Sequence, residues 1–398
     1  MAALTVEEIR SARAATPGCA DVIHLNHAGA SLPPQAVLDA QIGHLLDEAA
    51  MGGYEAAAAA QPRHDAVYES IGELIGSRPH EIARMEHATA AWNAAFWAVP
   101  MEPGQHVVVH DHEYGANVVG FLAAAQRRGV VIDRVPSDPS GQVDVSAIAD
   151  RLARFDVALV SLTHVPTNGG LVNPAAEVGA LTRAAGVPFL LDACQSVGQR
   201  RIDVGEIGCD LLSATGRKYL RGPRGTGFLY VSDAVVERLV PSHPDHHGAE
   251  LVAGDRFEWR RGARRFEHWE HSVAGWLGLG AAVDHALGWG PGRIESTVTE
   301  RGDQLRTMLV DAGFTVYDEG PIRCGIVTCA TGAVPSGELQ AVLAGHRINS
   351  TCTHDESSRW DVERRRLPAL LRLSVHYTTT VEELATTVEV LSAAVRGR

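Results

Sequence analysis

Between about residue 20 and residue 290, short apolar runs alternate with stretches of helical periodicity, and this alternation limits the folds open to the chain more than any other feature. The runs "HVVVH" (106–110), "GVVIDRV" (129–135), "VALVSL" (157–162), "VPFLLD" (187–192), "DLLSA" (210–214) and "GTGFLYV" (225–231) have the length and β-branched content of strands. Segments 114–128, 144–154 and 174–186 carry the intervening helices. Strands separated by helical crossovers pair in parallel, and their near-continuous apolarity means that both faces of the sheet are covered. An α/β class follows, in which ligand groups gather at the carboxyl ends of the strands.

Past this region, "VAGWLGLGAAVDHALGWG" (273–290) reads as a buried helix closed by Gly-Pro-Gly, with another helix around 293–312. Strand candidates "FTVYD" (314–318), "GIVTCA" (325–330) and "LLRLSV" (370–375), with helices near 336–345 and 381–396, suggest a smaller α+β unit. The expected organisation is an N-terminal segment over 1–20, a large domain over 21–292 and a small C-terminal domain over 293–398. "EAAAAA" (55–60) is more simply a helix than a low-complexity tract.

A formal net charge of −13 argues against a nucleic-acid partner, since such proteins usually present a basic surface. No apolar run is long enough to span a bilayer, and the first residues lack the basic-then-apolar order of a secretion signal. Six cysteines are scattered without a CxxC pair, so reduced thiols and a cytoplasmic location are expected. No metal-ligand spacing stands out, and "HPDHHG" (243–248) reads as a polar loop.

Of the 35 Lys and Arg residues, one is a lysine: Lys218, in "SATGRKYLRGPRG" (213–225). Arginine serves as a surface charge or a carboxylate clamp but stays protonated, whereas lysine can lose its proton and attack a carbonyl as an amine. Taken alone, Lys218 is either such a nucleophile or a remnant of an Arg-biased composition. Its surroundings decide between them. In "LLDACQSVG", Asp192 ends a strand where a carboxylate can pair with a protonated pyridine nitrogen, and Gln195 follows at a turn within reach of a ring hydroxyl. In "SATGRK", Thr215 and Arg217 flank the lysine and offer a hydroxyl and a guanidinium to a phosphate. In "EHATAAWNAAFWA" (86–98), His87, Ala88 and Thr89 precede a helix, whose first amides are free to bind phosphate. Asp192 or Thr89 alone could be a helix cap. Together, amine, acid, amide and phosphate donors fit pyridoxal 5′-phosphate.

At these motifs the chain resembles the class V branch of pyridoxal-phosphate-dependent fold-type I enzymes, which includes cysteine desulfurases, isopenicillin N epimerase-like proteins and several C–S lyases. The likeness runs from "VIHLNHAGASLPPQAV" (22–37) to "LLRLSVHYTTTVEEL" (370–384) and is most specific in "DACQSV" and "TGRKYLRGPRGTGFLYV". It implies a large domain with a mostly parallel seven-stranded sheet and a smaller C-terminal α+β domain. It also implies that Lys218 holds the cofactor, that Asp192 meets the pyridinium and Gln195 the ring oxygen, and that Ala88, Thr89, Thr215 and Arg217 lie near the phosphate. "EYGAN" puts Tyr114 where relatives carry a ring stacked over the cofactor, and "HVPTNGG" (164–170) puts Thr167 or Asn168 near the ring oxygen. Arg372 of "LRLS" matches the residue that clamps the substrate α-carboxylate, and His27 and Ala28 are expected beside the substrate. A homodimer with active sites at the interface and a small amino-acid substrate complete the expectation.

Two segments depart from the pattern. Where relatives reach across the dimer with a threonine, this chain has "FEHWEHS" (266–272). Where desulfurases carry a nucleophilic cysteine, it has "RINSTCTHDESSRWD", whose Cys352 matches neither the setting nor the spacing. Within the branch the chain is most similar to the C–S lyases of ergothioneine biosynthesis, which implies β-elimination from a cysteine S-conjugate, hercynylcysteine sulfoxide in that group, with pyruvate and ammonia released. Desulfurase or epimerase-like chemistry remains open on the same cofactor core. A ligand-sensing regulatory domain would need a DNA-binding module that is not evident. A trimethylammonium-bearing substrate favours aromatic walls, for which Trp259, Trp269 and Tyr54 are candidates. The Arg-rich stretch 256–270 reads as a carboxylate contact, a partner contact or a solvated loop.

Overall fold

In the computed structural model, which describes residues 1–397, the apolar runs assemble into one seven-stranded sheet. Its strands are β1 (Ile82–Met85), β2 (His106–His110), β3 (Val131–Val135), β4 (Val157–Thr163), β5 (Phe189–Asp192), β6 (Leu211–Thr215) and β7 (Gly227–Val231). They lie in the order β1-β7-β6-β5-β4-β2-β3. Strand β7 is antiparallel to both of its neighbours, and the other pairings are parallel.

Alternate residues of each strand enter different cores, as a period of two requires. Val108, Leu191, Leu212 and Phe228 pack on one face against Tyr68 and Ile71 of helix Gly53–Ile75 and Trp276 of helix Val273–Trp289. Val107, Val109, Leu190, Leu211 and Leu229 pack on the other against Trp92 and Phe96 of helix Ala88–Ala98 and Phe121 of helix Gly115–Arg128. Both faces are therefore covered, which accounts for continuous apolar runs in place of an apolar/polar alternation.

A four-stranded antiparallel sheet forms in the last third of the chain from β8 (Thr315–Val316), β9 (Ile326–Ala330), β10 (Thr351–Cys352) and β11 (Leu371–Ser374), in the order β8-β9-β11-β10. Its core takes in Ile9 of the N-terminal helix Val6–Ala14, Leu25, and Val298 and Leu305 of helix Pro291–Asp311. Ile23–His24 pairs in parallel with Ile348–Asn349, so the start of the chain is built into this part. No helix among the described residues is long and apolar enough to cross a membrane.

Strand β1 is the one member of the large sheet that the apolar pattern does not announce. It is four residues long and carries Arg84 in its middle. That arginine is buried because its amide donates to Glu267 Oε1 at 2.8 Å and its guanidinium lies 3.6 Å from the same carboxylate.

Two turns leaving the carboxyl ends of β5 and β6 are pressed together at Gly198. Its φ is +93°, and a Cβ there would sit 2.3 Å from the Tyr219 carbonyl carbon and 2.4 Å from the Leu220 amide nitrogen. Backbone cannot yield at that distance, and the dihedral is one that glycine adopts without strain. Gly198→Ala is therefore expected to lower the thermal unfolding midpoint by several degrees, measured by circular dichroism; an unchanged midpoint would show that the two turns are free to separate.

Candidate active site

Strands β4, β5 and β6 end side by side, with Thr163 paired to Asp192 and Asp192 to Ser213. A cavity of about 250 Å³ opens at this edge. Asp192, Gln195, Lys218, Tyr114 and Thr167 line it, as do Ala88, Thr89, Thr215 and Arg217. Nine residues drawn from five separate stretches of sequence thus meet at one place.

The phosphate end is set by the helix Ala88–Ala98, an alanine-rich run with high helix propensity. His87 caps it, its Nδ1 accepting from the Ala90 amide at 3.0 Å. Ala88 and Thr89 at its first turn face the cavity, and a helix N-terminus with free amides favours an anion. Arg217 lies on the same wall and donates to the Gly29 carbonyl.

Lys218 sits in a tight turn closed by hydrogen bonds from Arg221 N to Lys218 O (2.9 Å) and from Gly222 N to Gly216 O (2.8 Å). Arg221 adopts φ +63° and is buried, donating to the Leu32 carbonyl at 3.0 Å and to the hydroxyls of Tyr377 and Thr16. The lysine backbone is thereby tied to both ends of the chain. The amine itself is buried, burial pushes its pKa below the ordinary lysine range, and its side-chain hydrogen-bond partner is the Cys194 thiol. A desolvated amine is easier to deprotonate and so more nucleophilic.

Opposite it, Asp192 is held by two donors, Asn117 Nδ2 to Oδ2 at 2.9 Å and the Cys194 amide to Oδ1 at 2.9 Å. Gln195 Nε2 donates to Thr167 Oγ1 (3.1 Å) and to the Ala28 carbonyl (3.2 Å). Arg372 stands behind Thr167, donating through Nη1 to its carbonyl (2.9 Å) and hydroxyl (3.1 Å), with a longer contact from Nη2 to Asn26 Oδ1 (3.4 Å). Burial lowers its pKa to about 10, which leaves it cationic at neutral pH. No carboxylate among the described residues pairs with it. A buried guanidinium without an acid is costly, and Arg372, unlike Arg221 with its three engaged nitrogens, also keeps one N–H without a partner. Gln195 Oε1, on the cavity wall, is buried without a partner, an acceptor left for something that enters; Arg372, which lies behind Thr167 and does not itself line the cavity, has its Nε buried without one as well.

Other candidates lie elsewhere. His27 and Ala28 do not line the cavity: the His27 ring is buried against His24 and His376, and Ala28 takes part through its backbone. Asn168 donates to the His354 carbonyl at 3.4 Å. Tyr54 and Trp269 meet in a second cavity of about 610 Å³, while Trp259 ends the hairpin strand Arg256–Trp259 outside it. Sequence reasoning passed over Asn117, which orients Asp192, and Cys194, which meets Lys218. The spacing of Glu113 and Asn117, one helical turn apart just after β2, is a signal for the first. The second lies within "DACQ" itself.

The chain matches the family described as aminotransferase class-V over residues 23–386. A relative in Mycobacterium tuberculosis (strain CDC 1551 / Oshkosh), described as "Probable hercynylcysteine sulfoxide lyase", is 32% identical over 388 residues, 96% of this chain and 92% of its own. The isopenicillin N epimerase of Streptomyces clavuligerus is 28% identical over 343 residues, 82% of this chain and 83% of its own. Among solved structures, the apo cysteine desulfurase of Thermococcus onnurineus NA1 shares the fold with a TM-score of 0.91 over 100% of both chains at 22% identity. The chain belongs to the class V aminotransferase family. It is a pyridoxal-phosphate-dependent enzyme of the cysteine desulfurase and C–S lyase type.

The donor set fits that cofactor: an amine for the aldehyde, an acid for the ring nitrogen, and a helix start with a guanidinium for the phosphate. Lys218→Ala and Lys218→Arg are both expected to leave the protein colourless after incubation with pyridoxal phosphate, and borohydride to fix nothing in the peptide spanning position 218. A yellow, borohydride-fixable Arg variant would place the covalent link elsewhere, because arginine cannot replace the amine.

Proposed function

We propose that the chain is a C–S lyase that splits a cysteine S-conjugate by β-elimination, with hercynylcysteine sulfoxide as the substrate. The products are a sulfenic acid on the path to ergothioneine, together with pyruvate and ammonia. The observation that carries this over a desulfurase is the position of Cys352. It lies in β10, paired with Leu371 of β11, is not among the residues lining the cavity, and has its thiol pKa raised by burial. A persulfide-forming cysteine needs thiolate character and access to the substrate sulfur. The relative described as a hercynylcysteine sulfoxide lyase, similar over nearly the full length of both chains, supports the same reading.

In this reading Lys218 would hold the aldehyde and, as a free amine, would accept the α-proton at Nζ; burial favours the neutral amine that this requires. The bound cofactor supplies an electron sink for the pair left at the α-carbon. Asp192 holds a positive charge at the ring nitrogen, and Gln195 and Thr167 orient the ring oxygen. Arg372 receives the α-carboxylate through its unpartnered Nε and weakly engaged Nη2. Tyr114, at the start of helix Gly115–Arg128, lines the cavity and would stack over the ring.

Purified protein given hercynylcysteine sulfoxide is expected to release pyruvate and ammonia in equal amounts. Arg372→Ala should lower kcat/KM about 100-fold, the loss of two charge-assisted hydrogen bonds. Alanine formed from cysteine, with no pyruvate from the sulfoxide, would assign the chain to the desulfurases.

The same reading makes the enzyme a cytoplasmic homodimer. Six free cysteines suit a reducing compartment. On helix Gln35–Met51, Ile42 lies one turn before Leu45 and Leu46, with 54%, 54% and 64% exposure, an apolar patch suited to a second copy. Sedimentation should give twice the chain mass; a monomer with full activity would remove the dimer from the account.

A further inference from the structure

The roles above use Asp192 but not the carboxylate behind it. Glu113, in the loop between β2 and helix Gly115–Arg128, is 0% exposed. Its Oε1 accepts from the Thr163 amide at 3.1 Å, and its Oε2 accepts from the Thr163 hydroxyl at 2.9 Å and from Asn117 Nδ2 at 3.2 Å. The same Asn117 nitrogen donates to Asp192 Oδ2 at 2.9 Å. A primary amide has two N–H bonds, and here each goes to a different buried acid. Asn117 is itself buried, and it cannot turn without releasing both carboxylates.

Two buried acids on one amide are unfavourable unless a positive charge stands beside them. Burial and the neighbouring Asp192 raise Glu113 to about 7, while its three accepted hydrogen bonds oppose the rise. The other charged groups nearby are engaged. Lys218 faces Asp192. On the adjoining loop, Asp111 pairs with Arg134 of β3, and Arg364 and Asp361 of helix Arg359–Arg365 meet Asp111 and His112. His110 is held neutral by burial. What remains open to change is the charge in front of Asp192.

We propose that Glu113, acting through Asn117, is a positioning residue for Asp192: it fixes the orientation of that carboxylate and gives up its proton when the cationic ring nitrogen docks. The inference rests on the assignment of Asp192 to that nitrogen. Once Asp192 is balanced by a cation, its repulsion of a second negative charge weakens, and Glu113 ionises by releasing a proton to solvent. Ionised, it adds negative potential that favours the protonated ring. A residue outside the cavity lining thereby couples cofactor binding to proton release.

The test is calorimetric titration of the apoprotein with pyridoxal phosphate at pH 7, repeated in buffers of different ionisation enthalpy to count protons. Glu113→Gln keeps the shape and an acceptor for Asn117 but cannot ionise. Wild type is expected to release roughly half a proton more than this variant, the fraction neutral at a pKa near the working pH. The variant should bind the cofactor several-fold more weakly with an unchanged circular dichroism spectrum. Should it not fold, Thr163→Val removes a donor that favours the ionised form and is expected to increase the proton release; equal release would overturn the inference. Asp192→Asn separates the two claims. If it weakens cofactor binding more than tenfold while Glu113→Gln and wild type release the same number of protons, Glu113 has no such role and the Asp192 assignment stands. If Asp192→Asn binds as tightly as wild type, that assignment fails and the inference with it.

Discussion

The site depends on holding one amine away from water and facing one carboxylate. Asp192 ends β5 and Lys218 lies on the turn that leaves the neighbouring β6, and nothing in the sheet alone fixes the gap between the two turns that follow these strands. Gly198 allows backbone to touch backbone there, and Arg221 ties the lysine turn to Leu32, Thr16 and Tyr377. The buried arginine has hydroxyl and carbonyl partners in place of an acid, so its charge anchors the turn without adding a carboxylate to the cavity. Burial then does the chemical work of shifting the amine toward its neutral form.

The electrostatics run against those of the whole chain. A molecule of net charge −13 surrounds this cavity with Lys218, Arg217 and, behind Thr167, Arg372, against the single lining carboxylate of Asp192. The excess of positive charge suits a ligand that brings a phosphate at one end and a carboxylate at the other. One buried orphan atom on the wall, Gln195 Oε1, marks where one of its polar groups belongs, and a second, Arg372 Nε, lies behind Thr167.

Much of this was legible in the sequence because the signals were local. Apolar runs gave six strands of the large sheet, Gly-Pro-Gly marked the junction of two long helices, and a lone lysine among many arginines pointed to amine chemistry. Nine residues singled out from short motifs line the same cavity. What escaped depends on distant partners. The four residues of β1 look like nothing until Glu267 neutralises Arg84. Asn117 and Glu113 resemble the solvent-facing start of a helix until β4 and β5 bring Thr163 and Asp192 against them. His27 sits in a motif of the family, yet a cluster of rings draws its side chain away from the cavity.

Because the chain holds one lysine, its amine can be observed alone. Incorporation of lysine labelled with carbon-13 at the ε position gives one side-chain resonance, whose titration can be followed in the apoprotein and then with pyridoxal phosphate added. The expected result is a titration midpoint below the ordinary lysine range and a displaced, pH-insensitive signal once the cofactor is bound. A resonance that titrates like a solvated lysine and ignores the cofactor would contradict it.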